Sequence, residues 1–253
     1  MTGASSGIGW EISRQLAAQG TNLVVVARDK ERLAALASEV GASHDGVEVE
    51  VLPADLADPA QLGAVEARLA DEGRPIDLLV NNAGYGTYGR FADLDRDREE
   101  NEIRVNVVAL VRLTHAALGP MLARDRGAIM NVSSITGMQG TPGNATYGAT
   151  KAFVTAFSEA VYEELVGTNV TLTVVLPGAT RTEFHTRAGV AQRNIPRSAW
   201  QSADAVAAEA LAATRAGKPL VVTGRLNKLA VAAATPLPHG LRRRAAARVA
   251  RRL

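Results

Sequence analysis

Cysteine is absent from the 253-residue chain, which excludes disulfides, thiolate nucleophiles and thiolate metal sites and fits a reducing compartment. Histidine is scarce: His44, His115, His185 and His239 lie far apart without metal-ligand spacing, so none is assigned chemistry. No uninterrupted apolar run reaches the length of a transmembrane helix, and the first residues lack the basic and apolar regions of a signal peptide. The expectation is a soluble, cytoplasmic body. Acids are missing from residues 225 to 253, which hold Arg225, Lys228, Arg242, Arg243, Arg244, Arg248, Arg251 and Arg252. The rest of the chain has 20 basic against 26 acidic side chains, a balance that argues against a nucleic-acid partner.

What is present is enough for one substantial core, since 47% of the residues are hydrophobic. Residues 1 to 224 read as one domain and 225 to 253 as a basic helical tail. That tail suits either peripheral contact with an anionic membrane surface or plain solvation.

The opening Met1-Thr2-Gly3-Ala4-Ser5-Ser6-Gly7-Ile8-Gly9 precedes a helical pattern that stops at Gly20. Glycines at 3, 7 and 9 let a backbone approach a pyrophosphate, and the amides of Ser5, Ser6, Gly7 and Ile8 at a helix start supply donors. An ordinary glycine-rich loop is the alternative. Such a turn should follow a buried central strand, yet only Met1 and Thr2 precede it. The sheet is therefore expected to lack its first strand and to have a gap beside the phosphate site, and a natural start further upstream would account for this.

Residues 22 to 27 form a short apolar run and predict a buried strand, with Arg28 just past its end. An arginine there accommodates a 2′-phosphate and favours NADP, although Asp29 leaves NAD possible. A second helix runs through Leu33, Leu36 and Val40. The strand at 47 to 52 ends before Asp55 and Leu56, where Asp55 can accept from an adenine amino group, and Pro59 starts a third helix. The strand at 76 to 80 leads to Asn81, Asn82, Ala83 and Gly84, a small-residue turn with room for a cofactor. The alternation of strands and helices predicts a parallel α/β sheet.

A long helical pattern spans 98 to 123, with Asn106 in its interior at a cost in propensity. A buried Asn holding a water or a kink would explain that cost; an exposed Asn is the alternative. The strand at 127 to 134 ends in Ser134, 13 residues before Tyr147. Tyr147 and Lys151 share one helix face, so a cation within hydrogen-bonding reach is expected to lower the phenol's pKa and equip it for proton transfer.

These motifs, in this order, resemble those of the short-chain dehydrogenase/reductase family over nearly the whole chain to about Val222. The opening turn is similar to TGxxxGxG, residues 81 to 84 to NNAG, and Ser134, Tyr147 and Lys151 to the Ser and YxxxK active site. Asn106 resembles the fourth catalytic residue. Residues 176 to 182 resemble the Pro-Gly turn near nicotinamide, with Pro177, Gly178, Thr180 and Thr182 as contacts. The resemblance implies a doubly wound Rossmann-type sheet in three layers, α/β/α. It implies hydride transfer between a nicotinamide and a small-molecule carbonyl or alcohol carbon, and a homodimer or homotetramer built through helices 99 to 123 and 147 to 166. Residues 183 to 200 show little periodicity and predict a flap, in which Phe184, Val190, Ile195 and Trp200 could line an apolar pocket. A different class stays open: a catalytically weak cofactor-binding protein recruited to membranes or partners by its basic tail.

Overall fold

Aspartates set the start of several elements in the computed structural model, which describes residues 1–189 and 197–234. The chain opens with helix α1 (Gly7–Ala17) and strand β1 (Leu23–Ala27). Asp29 then caps α2 (Lys30–Ser43) by accepting from Arg32 N–H at 3.0 Å. After β2 (Val49–Pro53), Asp58 accepts from the amides of Ala60 and Gln61 and opens α3 (Pro59–Leu69), whose first residue is the proline that needs no N–H partner. Strand β3 (Leu78–Asn81) follows, then α4 (Arg96–Ile103) capped by Asp95.

The helix expected from 98 to 123 is not one regular helix. A π-helical turn (Arg104–Ala109) separates α4 from α5 (Leu110–Ala123), and Asn106 lies in that turn with 1% exposure. The interior Asn cost is thus resolved by a widened turn that delivers a buried amide inward. Residues Arg96–Ala123 together match the length and mean hydropathy of a membrane span. Here, however, Leu110, Leu113, Ala117 and Met121 pack into the core, and Arg112 pairs with Glu66 at 2.6 Å.

The remaining elements are β4 (Gly127–Val132), α6 (Ala145–Glu164), β5 (Val170–Leu176), the short α7 (Phe184–Arg187), α8 (Ala203–Arg215), β6 (Leu220–Val222) and α9 (Arg225–Ala234). The strands at 47 to 52 and 76 to 80 begin two residues later than their apolar patterns suggest, because the first residues of each run lie outside the ladder.

All ladders are parallel. Strands β1 and β2 pair alone, and β3-β4-β5-β6 form a second sheet in that order. The first residues of the chain lie between the two sheets and bridge them: Thr2 N–H donates to Val80 O at 3.0 Å, while Val26 N–H donates to Met1 O at 2.9 Å. Apolar residues from α1, α2 and α8 cover one face of these strands, and α3, α5 and α6 cover the other. Strands buried on both faces, such as Leu172, Val174, Val175 and Leu176 of β5, require this three-layer arrangement. Helix α9 docks on the domain: Asn227 donates to Gln201 and Thr223 O, and Lys228 pairs with Glu209 at 2.7 Å. The tail from 235 to 253, on which the membrane expectation mainly rests, is outside the described residues.

Candidate active site

The glycine turn is held by side chains from the next motif. Asn82 Nδ2 donates to the carbonyls of Thr2 and Gly3 at 3.1 and 3.2 Å, and the Thr2 hydroxyl accepts from the amides of Asn82 and Ala83, both at 3.0 Å. Gly3 and Gly7 have φ of 66° and 57°, which a side chain would disfavour. A Cβ on Gly9 would lie 2.2 Å from the Gly3 carbonyl oxygen. Ser6 precedes α1 without making a side-chain cap, and the first turn holds no acid, so the amide end of the helix presents its positive dipole uncompensated. Ser5 and Ile8 flank it. Arg28, at the end of β1, is exposed and stands 3.9 Å from Asp55 at the end of β2; Leu56 beside it is buried. The pieces fit a dinucleotide: a donor cradle, then a cation and a carboxylate at the adenosine end.

The proton-transfer candidates meet where β4 and α6 converge. Ser134 starts a turn of 3-10 helix (Ile135–Met138), and its hydroxyl faces the Tyr147 phenol, where it opposes the rise that burial causes. Lys151 Nζ lies 5.7 Å from the Tyr147 ring centroid and donates to Val132 O at 2.8 Å. The expected direct bond between ammonium and phenol is therefore absent, because the β4 carbonyl takes the ammonium. Burial pushes Tyr147 well above the ordinary phenol value and Lys151 down to about 8. The pair is close but does not depress the phenol by itself.

Asn106 joins the cluster from the π turn. Its side chain spans the backbone of Tyr85, accepting from the N–H at 3.1 Å and donating to the carbonyl at 2.8 Å, and also donates to Thr150 Oγ1. Gly84 is required at this junction: a Cβ would meet Asn106 Oδ1 at 2.9 Å and Lys151 Nζ at 3.5 Å. The Pro-Gly segment borders the same cleft. Pro177 O accepts from Ile135 N–H, Thr180 donates to Gly178 O, and the Thr182 methyl approaches Gly7.

An aromatic wall flanks the phenol, with Tyr147 and Phe184 centroids 5.2 Å apart and His185 edge-on to both Phe184 and Trp200. Phe184 and Trp200 lie where a pocket lining was expected; Val190 and Ile195 are outside the described residues. Three features escaped the sequence reading. Arg32 grips Glu183 at 2.8 and 2.9 Å and ties α2 to the segment after the Pro-Gly turn. Asn131 links Asn81 to Ser158 through the core. Glu99 and Glu102 are buried around Thr87. The pairing of Glu99 and Glu102 at helical spacing was the available signal.

Such a fold, with a donor-lined nucleotide cleft beside a Ser, Tyr and Lys cluster, defines a Rossmann-type oxidoreductase. The short chain dehydrogenase family model matches residues 1–192, and the chain belongs to that family. A 7beta-hydroxysteroid dehydrogenase of Collinsella aerofaciens is 38% identical over 180 residues, covering 71% of this chain and 67% of the relative. Among solved structures, a short-chain dehydrogenase from Sphingobium yanoikuyae in complex with NADPH is similar at TM-score 0.86 and 37% identity, over 95% of this chain and 93% of that one. A 7beta-hydroxysteroid dehydrogenase structure reaches TM-score 0.87 at 30% identity, over 97% and 95%.

Proposed function

We propose that the chain is an NADP-preferring oxidoreductase acting on a carbonyl or alcohol carbon, with Tyr147 as general acid and base. The observation that supports it most is the convergence of Ser134, Tyr147, Lys151 and Asn106 from three elements beside a cleft that fits a dinucleotide. NADPH, when bound, supplies the hydride.

Gly3, Ser5, Ser6, Gly7, Ile8 and Gly9 would hold the pyrophosphate, Arg28 the 2′-phosphate, and Asp55 with Leu56 the adenine. Asn82, Ala83 and Gly84 would border the ribose that Lys151 holds, and Pro177, Gly178, Thr180 and Thr182 the nicotinamide end. In reduction, Tyr147 gives its proton to the substrate oxygen while Ser134 hydrogen-bonds that oxygen as charge develops. The raised phenol value suits an acid that must stay protonated until then. Lys151 stabilises the phenolate left behind, and Asn106 orders the backbone and water by which Tyr147 is reprotonated. The aromatic wall of Phe184, His185 and Trp200 suits an apolar carbon skeleton, consistent with the steroid-acting relative.

Exposed Ile103, Val108, Leu122 and Phe153 on α4, the π turn, α5 and α6 support assembly through these helices into a homodimer or homotetramer. The test of function is NADPH and NADH binding by fluorescence, followed by cofactor oxidation across ketones and aldehydes. Tighter NADPH binding with turnover is expected; no binding of either nucleotide would overturn the proposal.

A further inference from the structure

Behind the tetrad, two carboxyl groups share one hydroxyl. Thr87 Oγ1 contacts Glu102 Oε2 at 2.9 Å and also Glu99 Oε1, while Thr87 N–H donates to Glu102 Oε2 at 2.9 Å. The other oxygen of Glu99 accepts from Thr146 Oγ1. Glu102 is fully buried, Thr87 is 6% exposed and Glu99 7%, and Glu102 Oε1 has no partner. Thr87 has a single hydroxyl proton and touches two carboxyl oxygens with it. One contact is closed by that proton; the other is a hydrogen bond only if the carboxyl itself is protonated.

The cluster surrounds the phenol. Thr146 precedes Tyr147, and Gly86, next to Thr87, is so close to the ring that a Cβ there would lie 3.0 Å from Tyr147 Cδ2. Glu102 is one turn before Asn106 on the same helical segment. We propose that Glu99, Thr87 and Glu102 form a proton-sharing carboxyl pair, and that Glu102 is a positioning residue whose charge tunes Tyr147 and Lys151.

Glu102 is the protonated partner, since its Oε1 has no donor while both oxygens of Glu99 meet hydroxyls. Burial foremost pushes Glu102 up to about 7, Glu99 adds to the rise, and Lys151 opposes it. The charged or titratable groups facing Glu102 are Glu99 from α4, Lys151 and Tyr147 from α6, and Tyr85 from the loop after β3. Once ionised, Glu102 favours the protonated forms of both Lys151 and Tyr147. It thereby sustains the Lys151 ammonium, which burial brings down to about 8, as pH rises, while the buried phenol stays in the acid form that reduction needs.

This inference rests on Tyr147 and Lys151 being the proton-transfer pair, and its test separates the two. In Glu102→Gln the amide oxygen in the place of Oε2 can accept from Thr87 N–H, but no carboxyl proton remains at that position. Difference infrared spectroscopy on the full chain, which needs no turnover, should show a protonated-carboxyl band that disappears near pH 7 and is missing in the variant. In reduction with NADPH, the wild-type to variant ratio of kcat/KM should climb roughly tenfold between about pH 6 and pH 9, the effect of a shift of about one pK unit in Lys151. A purely structural loss would lower activity by one factor at every pH. A constant ratio, or no titrating carboxyl band, overturns the proposal, whereas absence of turnover with every carbonyl would instead overturn the oxidoreductase reading. If Glu102→Gln does not fold, Glu99→Gln should move the band to lower pH, and an unmoved band is equally fatal.

Discussion

Removing one oxygen from Tyr147 separates chemistry from architecture. Tyr147→Phe keeps the ring 5.2 Å from Phe184 and beside Lys151, so the wall of the cleft stays in place. What is lost is a buried hydroxyl beside Ser134, so net stability should change by no more than about 1 kcal/mol. Folding and NADPH binding should therefore change little. A positioned general acid contributes roughly 10²- to 10⁴-fold, which corresponds to about 3–5 kcal/mol of barrier. Turnover should fall by that factor while the nucleotide dissociation constant moves less than about threefold, a change of under 1 kcal/mol. The assay is steady-state NADPH oxidation with the best carbonyl from the panel, with fluorescence titration and thermal unfolding on the same samples. More than about one tenth of wild-type turnover would leave less than 1.4 kcal/mol for the phenol, below any general-acid contribution, and would refute its role.

Gly9→Ala places a methyl 2.2 Å from the Gly3 carbonyl and 2.5 Å from Asn82 Nδ2, so the turn must open. A cost of about 1–3 kcal/mol is expected, with Tm lowered by roughly 2–4 °C per kcal/mol and NADPH binding lost in calorimetry. Arg28→Glu reverses the charge at the exposed end of β1 and should weaken NADPH binding at least about tenfold while leaving NADH within about threefold, because only the former has a 2′-phosphate. Glu102 binds its proton more tightly in the fold, so its contribution to stability is full below the unfolded value near 4.5 and is lost as pH rises through about 7. Urea unfolding at pH 5 and pH 8 should show that loss in the wild type and a smaller one in Glu102→Gln.

Local signals made much of the scaffold legible. The apolar run at 22 to 27 is a strand because its side chains meet helices on one face or the other, and Pro59 announces α3 whatever lies around it. The glycine turn and the spacing of Tyr147 and Lys151 are likewise short-range. The Lys151 hydrogen bond to Val132, by contrast, joins residues from separate elements, and no helical spacing reveals that a strand carbonyl holds the ammonium. Glu99 and Glu102 were hidden for the same reason. Their neighbours Asp97, Arg98 and Glu100 face outward, and the three-residue interval that puts both acids inward acquires meaning only when Thr87 arrives from the loop after β3.

Asn106 and Glu102 act together on that loop. Asn106 binds both backbone groups of Tyr85, and Glu102 binds the Thr87 amide, so residues one turn apart clamp the chain on either side of Gly86. Gly86 is the backbone against which the Tyr147 ring packs. The π turn explains how both side chains can reach: widening the helix at Arg104–Ala109 changes the angle between α4 and α5 positions, bringing an amide and a carboxyl to one buried edge. Removing either leaves backbone polar groups of the loop without partners in the interior, at about 1–3 kcal/mol each. The loop would shift to satisfy them, and the phenol would lose its wall without any change in α6. A Tyr and a Lys four residues apart are therefore not a site by themselves; this one depends on a helix distorted to hold a loop.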